Sequence, residues 1–366
     1  MRFCLDFSQH PWQRATDLAA EARRTVAMAA AADAAGIDAI WATEDPDAWD
    51  AFALLGAFAN VTSHALLGPG VTNPYHRHPN LIAASVATLD ALSGGRAVLG
   101  LGRGQPEWYE RRLGMEIGDP LAALRETIAL VRQWWVAPYR ATSAADHSHF
   151  AIRDWERVIH PIQTTPPIYI AAAGPKALAL SGAVADGVIF NSFASDPYLK
   201  KAIADVRTAA RGAGRDPSNL AFILRTQIQI TDDSEPILQR AKQFMAVINA
   251  LPGMDRLIDL PGYDVPRIVA ELRRAMRTEE VLAGGGAFAE MRRVGDLDAA
   301  RKAIPTAMVA ELAIAGPIAH IRTRLAALAK LGVTHLSIAP PGSGTDVDEY
   351  RDLLRELHAA TGDRSP

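Results

Sequence analysis

Apolar positions along this chain fall into two alternating rhythms. Short, nearly unbroken apolar runs occupy residues 2–7, 38–42, 65–67, 96–101, 167–173, 187–191, 220–231 and 333–339. Between them lie longer stretches with apolar residues three or four apart, for example Leu124, Ile128, Val131 and Trp135 within 120–136. The first rhythm is that of strands covered on both faces, and the second that of helices with one buried stripe. Helices are predicted over 17–35, 50–61, 80–92, 120–136, 196–213, 318–331 and 347–360, with another from about residue 235. Gly36 and Ser93-Gly94-Gly95 supply stop signals.

Eight strands, with helix between them, predict an α/β fold: a closed (β/α)8 barrel. A doubly wound open sheet is the runner-up, but the first strand is not followed by a Gly-rich dinucleotide fingerprint. Residues 253–295 carry prolines and the triplet Gly284-Gly285-Gly286 and read as an insertion into one domain spanning 1–366. Residues 137–166 read as irregular.

Composition removes several functional classes. With 49% hydrophobic and 22% charged residues, the chain is neither disordered nor fibrous. A net charge of −3 without blocks of either sign speaks against nucleic acid or a charged membrane surface as partner. A single cysteine cannot form an intrachain disulfide, and no apolar run nears the roughly 20 residues of a membrane span. The opening Met1–Phe7 lacks a signal-peptide core, so a cytoplasmic location is expected.

A barrel places its chemistry at the carboxyl ends of its strands. Those ends carry His10 and Trp12 after the first strand, and Glu44, Asp45 and Trp49 after the second. Gly70-Val71-Thr72-Asn73-Pro74 with Arg77-His78-Pro79 follows the third, and Gly102-Arg103-Gly104-Gln105 with Glu107 and Trp108 the fourth. Ala173-Gly174-Pro175-Lys176-Ala177 follows the fifth, and Asn191 and Ser192 the sixth. Pro at the first helical position behind Gly174 leaves open N–H groups that favour an anion. The alternative is a plain strand-to-helix turn, and Lys176 is either a further phosphate contact or a solvated residue. His10, His76 and His78 lack metal-ligand spacing, so no metal is expected, and no Gly-x-Ser-x-Gly elbow supports a serine nucleophile.

Together with Thr88-Leu89-Asp90-Ala91-Leu92-Ser93-Gly94-Gly95-Arg96 and Ala185-Asp186-Gly187, these runs resemble the bacterial luciferase-like superfamily. Within it they most resemble the branch of methylenetetrahydromethanopterin reductases and glucose-6-phosphate dehydrogenases that use coenzyme F420. The resemblance implies a barrel oxidoreductase moving a hydride between F420 and a small organic substrate. FMN in a two-component monooxygenase is the alternative, and a cofactor-less binding protein a second one. It also implies a homodimer and a flavin or F420 reductase partner. By resemblance Gly70–Val71 forms a non-prolyl cis peptide behind the ring. Glu44, Trp49, Asn73, Gly104 and Gln105 face the ring region, Arg103 faces the ring or the phosphate side or is a plain rim arginine, and Ala173, Gly174, Lys176 and Ala177 hold phosphate. Asn73 alternatively caps the turn before Pro74. Glu44 and Asp45 are the candidate acids, each raising the proton affinity of the other; Glu107 is the substitute. Two departures stand out: Asp45 where the dehydrogenases carry a proposed proton-donating His, and Gln105 where they carry a catalytic Glu. Residues 137–166 and 253–295 are expected to line the substrate end.

Overall fold

The structure is a computed structural model that describes residues 1–7, 17–46, 48–144, 149–286, 288–340 and 346–361. Its strands are β1 (Arg2–Asp6), β2 (Ala39–Ala42), β3 (Leu66–Pro69), β4 (Leu99–Leu101), β5 (Arg140–Ala141), β6 (Trp155–Glu156), β7 (Ile168–Ala171), β8 (Gly187–Phe190), β9 (Ala221–Thr226), β10 (Ile228–Ile230), β11 (Ile314–Gly316) and β12 (His335–Ile338). Eight of them form one all-parallel sheet in the order β3-β2-β1-β12-β9-β8-β7-β4. Backbone bonds from Leu67 to Arg96 (2.9 Å) and from Val98 to Leu67 (2.9 Å) join its two ends. The sheet is therefore a closed barrel, as the alternating pattern predicts.

Alternation along each strand separates two apolar layers. Phe3, Ile40, Leu67, Ile170, Val188, Phe222 and Leu336 point outward into the large core beneath the helices. Cys4, Trp41, Val98, Ile189 and Ile223 point inward, with Tyr169 and Ala171 beside them, and fill the lumen. Small residues set the strand spacing. A Cβ on Gly68 would lie 2.4 Å from the Val98 carbonyl oxygen, and one on Gly100 2.2 Å from that of Pro69. Helices begin on local signals: Asp17, Asp50, Asp119 and Ser195 each accept a first-turn N–H.

Three elements differ from the sequence pattern. The seventh apolar run, 220–231, is two strands. β9 stays in the barrel, while β10 leaves it and pairs in parallel with β11, Ile228 opposite Ile314. Both are apolar alternating segments, so a change of pairing partner at Gln227 leaves no mark in the pattern. Residues 137–166 hold the small β5–β6 antiparallel ladder, and Pro106–Arg112 adds a helix that the glycine-rich run conceals. Residues 253–295 contribute no barrel strand. They form the helices Val265–Ala275, Thr278–Ala283 and Phe288–Val294, whose Leu272, Val281 and Met291 are buried in the main core. Among the described residues no helix is long and apolar enough to cross a membrane.

The far end of the barrel makes a pH prediction. The ring of His335 on β12 lies 2.7 Å from the Thr334 hydroxyl. Burial, reinforced by the Arg2 guanidinium, pushes its pKa down to about 4. Between the ordinary histidine value and this one, the unfolded chain takes up a proton that the folded chain refuses. Folding stability therefore falls as pH drops through that window, by about 2–3 kcal/mol in total. His335→Gln should remove this part of the acid sensitivity. Urea denaturation at pH 7 and pH 4.5 checks it: equal losses in both proteins would show that His335 is not the group responsible.

Candidate active site

The carboxyl ends of β2, β3, β4, β7, β8 and β9 meet at one mouth of the barrel, and the sequence-selected runs lie there. Backbone bonds order the β3 exit. Gly70 N donates to Ala42 O (2.8 Å), Thr72 N to Gly100 O (3.0 Å) and Gly102 N to Thr72 O (2.8 Å). The Gly70–Val71 peptide is cis, as the resemblance implies. Two side chains hold its carbonyl: Thr43 Oγ1 donates at 2.8 Å, and the Arg225 guanidinium donates from across the barrel. Arg225 Nε also pairs with Asp6 at 3.0 Å, and Ser337 Oγ donates to the same carboxylate oxygen at 3.1 Å. Asp6 and Ser337 are each only 1% exposed, so this is a buried polar floor beneath the Gly70 loop. The space there is tight. A Cβ on Gly70 would sit 2.8 Å from that of Trp41, and one on Gly102 2.6 Å from Val71 Cγ2.

Glu44 is buried beside this loop, 3% exposed. One carboxylate oxygen accepts from Arg77 Nε at 2.6 Å and the other from the Thr72 hydroxyl. Arg77 bridges onward to Asp50 and lies over the Phe52 ring at 4.9 Å. The expectation that Asp45 sets the electrostatics of Glu44 is thus corrected: the charged group touching its carboxylate is a guanidinium. Asp45 is half-buried one residue further along, and Trp49 is partly buried against the core.

Asn73 has both ends engaged. Its Oδ1 accepts the N–H groups of Tyr75 (3.1 Å) and His76 (2.9 Å), and its Nδ2 donates to Tyr109 Oη at 2.7 Å. This is the turn-capping alternative. Burial pushes the Tyr109 phenol up to about 12, so it accepts that bond as a neutral group. Gly104 has φ +63°, and a Cβ there would meet the Tyr109 ring at 2.6 Å. Arg103 is exposed on the rim. Gln105 precedes the helix Pro106–Arg112 and donates to Glu107 at 2.6 Å, so these two partly buried side chains form one unit. Trp108, next on that helix, packs edge-on to Phe288 at 5.6 Å. Arg111 and Arg112 reach the carbonyls of Ala283 and Gly285. His10 and Trp12 lie outside the described residues.

On the β7 side, Gly174 stands ahead of the helix Pro175–Val184, with Pro at the first position and no side-chain cap. The N–H groups of Lys176 and Ala177 therefore face outward uncapped. Lys176 is exposed and Ala177 half-buried. A residue the sequence reading passed over joins them: Arg256, from the turn Asp255–Ile258, whose Nη1 lies 3.3 Å from where a Gly174 Cβ would sit. Gly174 has φ −87°, so it supplies space rather than an unusual conformation. Tyr198 donates to the Ala173 carbonyl at 2.9 Å and fixes the loop from behind. Arg225 and Arg256 carried no legible signal, because each acts across a large sequence gap; Arg77 stood in the run after the third strand, but its pairing with Glu44 did not show there.

Known proteins agree with this architecture. The 5,10-methylenetetrahydromethanopterin reductase of Methanolobus tindarius is 30% identical over 312 residues, 85% of this chain and 88% of the relative. The solved coenzyme F420-dependent tetrahydromethanopterin reductase of Methanopyrus kandleri superposes with a TM-score of 0.74 at 22% identity, covering 97% of this chain and 96% of that one. An F420-dependent secondary alcohol dehydrogenase, solved with an F420–acetone adduct, shares the fold with a TM-score of 0.72 at 18% identity, covering 100% and 99%. The family model for luciferase-like monooxygenases matches residues 1–335, and the chain belongs to that family.

Proposed function

We propose that the protein is an oxidoreductase that binds coenzyme F420 at this mouth and transfers a hydride between it and a small organic substrate. The observation that carries the reading is the uncapped helix start behind Gly174 with the Arg256 guanidinium set in front of it. Two free N–H groups and a cation around a residue without a side chain fit a phosphate-bearing cofactor. Methylenetetrahydromethanopterin and F420 in the names of the relatives support the same assignment.

When bound, F420 would supply the hydride-transfer chemistry; the chain supplies place and orientation. In this reading Gly174, Lys176, Ala177 and Arg256 hold the phosphate. Val71 and the pinned Gly70 carbonyl form the wall against which a flat ring rests, with Gly102 leaving room beside it. Glu44, fixed by Arg77, positions Thr72 on the same loop. Its two oxygens are already engaged, which favours a positioning role over that of a proton carrier. Gln105 and Glu107, joined by their hydrogen bond, stand on the adjacent strand end. There the Glu107 carboxylate, with Asp45 after β2, is an ionisable group for proton movement.

Titration of the purified protein with F420 and with FMN, read by fluorescence, tests the assignment. F420 should bind the parent protein more tightly than FMN. Arg256→Ala should weaken F420 by about tenfold, the lower end for a charge-assisted contact at an exposed site. Gly174→Val should do at least as much by displacing Arg256, with the unfolding midpoint unchanged in both variants. Tighter FMN binding would replace F420 by FMN. Unchanged affinity in both variants would remove the phosphate from Gly174.

A further inference from the structure

A cleft opens beside the barrel mouth, between the ends of β8 and β9 and the excursion that runs from β10 to β11. None of its lining residues comes from 137–166 or 253–295, the segments expected to shape the substrate end. Its walls are apolar: Phe193, Ile237, Phe244, Leu312 and Ile314. Ile237, Arg240, Ala241 and Phe244 are spaced as one face of the helix Glu235–Asn249. The Phe193 and Phe244 rings meet at 6.0 Å. Thr226 and Ser192, both buried, connect the cavity to the strand ends. Thr226 directly follows Arg225, the residue that grips the Gly70 carbonyl.

Of the thirteen described lining residues only one is charged, and it is a cation, Arg240, exposed on the lining face of that helix. Gln227 and Gln229 are the uncharged polar neighbours. Two points follow. A polyanionic or sugar-like ligand finds too few cations and hydroxyl partners here. An apolar body with a single carboxylate matches both the wall and Arg240.

We propose that this cavity is the substrate-specificity pocket and that it takes an apolar monocarboxylate, with Arg240 holding the carboxylate and the Phe193–Phe244 wall its hydrocarbon body. The assignment rests on the proposed oxidoreductase site at the neighbouring strand ends.

The test is calorimetric titration of the whole protein, without cofactor, with octanoate and with octanol. Octanoate should bind the parent protein. Arg240→Gln should weaken octanoate about fivefold and leave octanol unchanged, because the variant removes a charge and no wall. Ala241→Trp, which fills the cavity, should abolish both. F420 affinity, measured in parallel, should stay at the parent value in both variants. Equal losses of octanoate and octanol in Arg240→Gln, or octanoate binding undiminished in Ala241→Trp, would overturn the pocket assignment. An absence of F420 binding alongside intact octanoate binding would overturn the oxidoreductase reading alone.

Discussion

Arg77→Met is expected to cost about 3–5 kcal/mol of stability, the range for removing one partner of a buried ion pair. The size follows from what is left behind. Glu44 is 3% exposed, and among the described residues its carboxylate would keep only the Thr72 hydroxyl as a partner. Asp50, on the far side of the guanidinium, is exposed enough to turn to water. The reverse variant, Glu44→Gln, keeps the volume and one hydrogen bond but leaves the guanidinium with Asp50 alone, so it too should destabilise. Glu44 is therefore not a position where charge can be removed silently. Combining the two, Glu44→Gln with Arg77→Met, should recover much of the loss, since no charge is then stranded. Urea denaturation of all four proteins gives the coupling. A loss below about 1 kcal/mol in Arg77→Met, the ordinary size for an exposed pair, would show that the pair is solvated in solution.

The second large effect is expected at Arg225→Met, and it divides into two parts. Asp6, buried in the lumen, loses its guanidinium partner, which places the stability loss in the same range of about 3–5 kcal/mol. The Gly70 carbonyl loses its donor from across the barrel and keeps Thr43. The wall proposed to face the ring then loosens, so F420 affinity should fall about tenfold, the equivalent of one charge-assisted hydrogen bond. Asp6→Leu added to Arg225→Met separates these parts. Stability should return, because a buried ion pair exchanged for apolar groups is often neutral. Cofactor affinity should stay low, because nothing restores the grip on Gly70. If affinity recovers together with stability, the contact to Gly70 serves only to fold the barrel.

The fold was written in local signals that need no partner to be read. A strand covered on both faces must be apolar throughout, as 167–173 and 187–191 are, and a helix over a sheet must show its 3.6-residue stripe, as 120–136 does. Their alternation leaves a parallel sheet, and eight of them favour closure. The site was legible to the extent that glycine and proline mark backbone. Gly70, Gly102 and Gly104 stand where a Cβ would collide with Trp41, Val71 and Tyr109, and one on Gly174 would crowd Arg256. That demand falls on the residue itself and so appears in the sequence.

What the tertiary structure alone decided is who faces whom. Glu44 next to Asp45 in sequence suggests two acids raising one another, whereas the fold sets Arg77, 33 residues away, against Glu44. Arg225 reaches Gly70 across 155 residues and Arg256 reaches Gly174 from a separate turn, and no local spacing announces either. The run 220–231 has one continuous apolar pattern, yet it splits at Gln227 because β10 finds β11 rather than the barrel. Periodicity records that a face is buried. Which surface buries it, and which charge waits there, is fixed only when distant segments are packed together.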